Sequence, residues 1–166
     1  MNPLWDYFWP CFAAGLLVGG PTGLVAFRRR SRRNAALAIG VVAALALAAL
    51  WHGPVGGARR FEAQVESAIQ KNLIYYEITR VSAHLHHGPL TREVVLSGPA
   101  DDFQRGELVA LMDELPGVSS ASWSSDAVGT PLILEGLAVS VVGFLFGLLL
   151  AYLAELRRRH NAQWKW

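Results

Sequence analysis

Few residues in this chain combine a type and a spacing that bear on chemistry. His84 and His86 stand two apart, with His87 beside them. In an extended segment, residues i and i+2 share one face, so the imidazoles of His84 and His86 are candidates for a zinc or copper pair. No cysteine lies near them to complete a ligand set, and both fall on the polar positions of their segment. The expectation is a solvated strand end, with no resident metal and no cofactor. Asp101, Asp102, Asp113 and Glu114 fit a helix start and a solvated face rather than a catalytic pair. The sequence contains no nucleophile elbow, Walker loop, HExxH or paired-cysteine metal motif. A protein without catalytic residues, and so not an enzyme, is expected. Cys11 is the one cysteine, which cannot form an internal disulfide.

The arginines form a different pattern. Arg28, Arg29, Arg30, Arg32 and Arg33 fill a short stretch between two apolar blocks, and Arg157, Arg158 and Arg159 follow a third block. A basic run can be a nucleic-acid patch. Wedged between apolar blocks, it reads instead as a topology determinant that also attracts anionic lipid headgroups. No nucleic-acid partner is expected.

The elements around these residues follow from composition. The chain has 166 residues, 52% of them hydrophobic and only 17% charged, against roughly 25% charged in an ordinary soluble domain. Three blocks, at about 4–27, 34–51 and 131–153, contain no Lys or Arg, and their acids, Asp6 and Glu135, lie near block ends. Each is close to the ~17–25 residues that a membrane-crossing helix needs. The organisation read from this is two transmembrane helices joined by a basic loop in 1–53, an extramembrane domain in 54–127, and a third transmembrane helix with a basic tail in 128–166.

Arginine-rich short loops mark the cytoplasmic side. The N-terminus and the 54–127 domain are then periplasmic and the C-terminus cytoplasmic, in a bacterial inner membrane. Trp5, Tyr7, Phe8, Trp9 and Trp51 would form the outer interfacial belt, and Trp164-Lys165-Trp166 would lie on the inner leaflet. The first block does not read as a cleavable signal, since its start is acidic and aromatic and its basic residues come afterwards.

Small residues recur every four positions in all three blocks: Gly15, Gly19 and Gly23; Ala36, Gly40, Ala44 and Ala48; Gly143, Gly147 and Ala151. Such ridges let helix backbones approach closely in a membrane, either within the chain or against another membrane protein. Leu148 is expected off the third ridge. Pro21, within Gly19–Gly23, is expected to loosen or kink its helix.

In 54–127, Phe61, Val65, Ile69 and Leu73 recur every four residues, which predicts a helix over 60–73. Alternation predicts strands over 80–86 and 92–96, with turn residues at 87–91 between them. Leu108, Leu111, Met112 and Leu115 predict a second helix, and 118–123 a third strand. Gly98 and Gly117 permit the sharp turns after the second strand and the second helix. The fold class is a membrane protein with three transmembrane helices and a small α+β domain of order α-β-β-α-β.

That order, with Val94-Val95-Leu96-Ser97-Gly98 before the second helix and Leu115-Pro116-Gly117-Val118 after it, resembles a BON domain over roughly 61–123. The family usually has a tight acidic-Gly turn before the second strand, where this chain has Gly88-Pro89-Leu90-Thr91. The resemblance implies a non-catalytic bacterial-envelope domain that binds membrane lipids or a membrane or periplasmic protein. Another reading is an accessory structural subunit of a larger membrane complex, respiratory or photosynthetic, packed through the glycine ridges. A third is a periplasmic metal-handling module.

Overall fold

The three arginine-free blocks form the long helices α1 (Pro3–Arg28), α2 (Arg33–His52) and α5 (Leu132–Gln163). All three are long and apolar enough to cross a membrane. Between them lie α3 (Gly57–Tyr75), β1 (Ser82–His87), β2 (Leu90–Ser97), α4 (Asp102–Asp113) and β3 (Ser120–Ser122). The computed structural model describes residues 2–124 and 129–163. Trp164-Lys165-Trp166 and the 127/128 boundary lie outside the described residues. The chain divides into two compact units, one of Met1–Tyr7 with Gly56–Glu135 and the other of Phe8–Val55 with Gly136–Trp166.

In the helical unit, α1 and α5 run parallel and α2 runs antiparallel to both. Gly15 of α1 lies against Ser140 and Phe144 of α5, Gly19 against Phe144 and Gly147, and Gly23 against Ala151. On α2, Gly40 faces Thr22 and the Phe144 ring, while the Ala44 carbonyl accepts a buried 3.1 Å hydrogen bond from Ser140 Oγ. The small residues therefore meet one another inside the unit. α1 runs as one helix through Pro10 and Pro21, so Pro21 does not interrupt it. Leu148 is not off the seam, because its side chain lies against Gly23. A one-turn 3-10 helix, Arg30–Arg32, joins α1 to α2, and α5 continues in helical form through Arg157, Arg158 and Arg159.

In the other unit a three-stranded sheet has the order β1-β2-β3, with β1 antiparallel and β3 parallel to β2. Ala83 pairs with Leu96 and Leu85 with Val94, and Val94 pairs in turn with Ala121, which makes one apolar face. α3 packs at β1 and α4 at β3. The buried α3 stripe is Phe61, Val65, Ile69 and Leu73, with Gly57 ahead of it. Burying that much aliphatic and aromatic surface drives the packing, at roughly 1.5–3 kcal/mol for each large side chain.

Asp101 caps α4: its carboxylate accepts from the Gln104 backbone N–H at 2.7 Å, and Gln104 Oε1 accepts from the Asp101 N–H at 3.3 Å. This reciprocal box satisfies two donors that a helix start otherwise leaves open. Gly98 and Gly117 hold backbone angles of φ +133° and +108°, a region costly for any residue with a Cβ. The opposite face of β2 carries Thr91, Glu93 and Val95, and all three are buried as well. Tyr7 is buried here rather than in an interfacial belt. Its ring lies 5.8 Å from that of Phe61, and its hydroxyl donates to the Leu132 carbonyl at 3.4 Å.

Candidate functional site

α3 runs two residues beyond its buried stripe. Ile74 and Tyr75 fall off the stripe's face, so they stand 75% and 79% exposed, and Tyr76 at the helix end is 52% exposed. The Tyr75 and Tyr76 rings meet edge to face at 5.0 Å. The helix closes by a double backbone bond, Glu77 N to the Ile74 carbonyl at 3.1 Å and Ile78 N to the Leu73 carbonyl at 2.9 Å. This closure needs a left-handed residue, usually glycine. Here it is Glu77, at φ +56°. Strained non-glycine positions of this kind gather at binding and switch regions.

Two open clefts flank the Glu77–Thr79 segment. One, of about 650 Å³, is lined by Gln70, Ile74, Glu77 and Ser82 among others. The second, of about 520 Å³, is lined by Glu77, Arg80, Pro99, Phe103 and Glu107 among others. Phe103, in the first turn of α4, is 77% exposed. The second cleft thus combines the exposed Phe103 ring with the carboxylates of Glu77 and Glu107 and the guanidinium of Arg80. Aromatic side chains of this size carry most of the energy at interaction surfaces, and their polar tips tolerate water beforehand. Ile74-Tyr75-Tyr76 escaped the sequence reading because the stripe it follows ends at Leu73. The signal was there in the run of large apolar residues with no place in the four-residue repeat.

The candidate pair His84 and His86 lies on β1 beside His87. The β1–β2 register shifts between Leu85 and His87. His86 Nδ1 lies 3.1 Å from the Pro89 carbonyl oxygen. The His84 ring stacks parallel to His87 at 6.3 Å, and His87 lies against Glu62 and Glu66 of α3. His86 is thus set against Pro89 and His84 against His87.

The arginines converge on a residue that the sequence reading passed over. Glu155, 4% exposed, accepts from Arg158 at 2.7 and 2.9 Å and from Arg159 at 3.2 Å, and pairs with Arg28 at 3.5 Å. Arg29, Arg32, Arg33 and Arg157 are exposed; the side chain of Arg30 lies outside the described residues. The glycines named from the sequence, Gly15, Gly19, Gly23, Gly40, Gly143 and Gly147, all line the interhelical seam.

The chain matches no family model, no curated protein and no solved structure. The likeness to a BON domain therefore rests on the residues that carry it.

Proposed function

We propose that this is a non-enzymatic, membrane-anchored binding protein of the bacterial inner membrane. In this reading a BON-like unit is held on the periplasmic side, the C-terminus is cytoplasmic, and the unit binds an envelope lipid or protein. The observation that carries the proposal is that the exposed side chains of Ile74 and Phe103 line two clefts, with the exposed Tyr75 and Tyr76 following Ile74 in the chain. Exposed apolar side chains grouped together mark interaction surfaces. The order α3-β1-β2-α4-β3 supports the family resemblance. The eight arginines at the ends of α1, α2 and α5 support the orientation through their cytoplasmic preference.

The accessory-subunit reading is less favoured. Its main physical support was a set of small-residue ridges available to a partner, and those ridges face one another within the helical unit. What remains for a partner is the apolar outer surface that any membrane helix presents to lipid.

Two parallel measurements separate the readings: co-purification of the full chain in mild detergent, and sedimentation of nanodisc-embedded protein with phosphatidylglycerol vesicles. Each is run with wild type and with a Tyr75→Ser, Tyr76→Ser, Phe103→Ser triple variant. Loss of the bound protein or of vesicle binding in the triple variant supports the binding reading. A stoichiometric multiprotein complex that survives the triple substitution overturns it in favour of the subunit reading.

A further inference from the structure

We propose that Glu62, Glu66 and His87 form a site for one divalent transition-metal ion of the zinc type, joining α3 to the end of β1. Glu62 and Glu66 are four apart on α3 and so share a face, flanking the stripe that α3 buries. The β1–β2 register shifts between Leu85 and His87, and His87 lies against that face of α3. His87 Nδ1 lies 3.5 Å from Glu62 Oε1, and its Nε2 lies 3.4 Å from Glu66 Oε1. One donor atom from each of the three residues falls within 4.8 Å of the others.

Two carboxylates at i, i+4 repel each other, and a divalent ion between them removes that repulsion. Carboxylate and imidazole donors suit Zn²⁺, and closing the donors from their spread of up to 4.8 Å to the ~3.4 Å edge of a tetrahedron with ~2.0–2.1 Å bonds takes only side-chain adjustment. His87 is half exposed, so a modest rotation of its ring aims a single nitrogen between the two carboxylates. Three protein donors leave a position for water. The ion would staple helix to strand in a unit with a small core. This site differs from a His84–His86 pair, and it does not depend on the partner-binding surface at Tyr75 and Phe103.

The test uses the full chain in detergent, purified without a histidine tag and stripped of metal by chelation. Zn²⁺ alone is titrated at pH 7.5 by calorimetry, and Co²⁺ is added separately for its absorption bands. One equivalent per chain is expected, with a rise in the unfolding temperature. Glu66→Gln and His87→Ala should each weaken binding about tenfold or more and abolish the rise. His86→Ala should leave both unchanged, since that ring is turned to Pro89. Unaltered circular dichroism of metal-free Glu66→Gln separates lost ligation from misfolding, and Glu62→Gln serves in its place if the fold is disturbed. Three results would overturn the proposal: no saturable Zn²⁺ binding, binding that survives the Glu66 and His87 substitutions, or binding lost only in His86→Ala.

Discussion

Gly19 of α1 and Gly147 of α5 stand so close that a Cβ added to Gly147 would lie 2.8 Å from the Cα of Gly19. The same added atom would lie 2.6 Å from the Leu16 carbonyl oxygen and 2.7 Å from the Gly20 nitrogen. These are backbone atoms and cannot swing aside. Gly147→Leu should therefore separate the helices and cost about 1–3 kcal/mol by overpacking. Gly20→Ala, whose added Cβ meets nothing within 4 Å, should be tolerated. Reversible unfolding in mixed micelles reads both. Equal tolerance at the two positions would show that α1 and α5 do not pack along this seam.

Glu93 is 3% exposed, yet it has its partners. Its carboxylate accepts from Ser122 Oγ at 3.1 Å and from the Gly129 N–H at 3.2 Å. Glu93→Ala removes the acceptor of the Gly129 N–H, while Ser122 Oγ keeps the Ser124 carbonyl at 2.9 Å, and should cost about 2–3 kcal/mol, since hydrogen bonds to charged groups are the expensive ones to lose. Ser122→Ala should cost about 1 kcal/mol. Thermal unfolding followed by circular dichroism ranks the two, and an equal or reversed order would contradict this role for the carboxylate.

Glu77 occupies a left-handed position at the end of α3. An L-residue with a Cβ pays roughly 1–2 kcal/mol there, so Glu77→Gly should stabilise the protein by about 1 kcal/mol. Glu77→Ala keeps the Cβ and should give little of that gain. A melting temperature that falls in Glu77→Gly would mean the carboxylate makes contacts worth more than the strain.

The proposed orientation is open to labelling. On a Cys11→Ala background, a membrane-impermeant thiol reagent applied to spheroplasts should label Gly88→Cys and miss Ser31→Cys and His160→Cys. Gly88 is a sound position because an added Cβ there meets open space. Labelling of Ser31→Cys from outside would invert the arrangement.

Much of the architecture follows from short-range pattern. The three long helices are written in block length and in the absence of Lys and Arg. The Phe61, Val65, Ile69, Leu73 repeat carries the buried face of α3, and Asp101 carries its capping role in its place just ahead of an apolar helical stripe. These features depend on the geometry of one element at a time, where a period of 3.6 or 2 residues translates directly into a face.

What the sequence left open depends on atoms brought from far along the chain. Glu93 sits on the polar side of an alternating strand and reads as solvated; it is buried because Ser122 and Gly129 return to that side. Tyr7 reads as an interfacial aromatic until Phe61, 54 positions further on, meets its ring. Glu155 reads as one acid in a basic tail, but one turn of helix places Arg158 and Arg159 on it and α1 adds Arg28. The glycine ridges announce close packing without naming a partner, and only the parallel run of α1 and α5 sets Gly19 against Gly147. Periodicity states which face an element buries. The tertiary structure alone decides what covers that face, because burial and pairing depend on the position of a second element that no local repeat encodes.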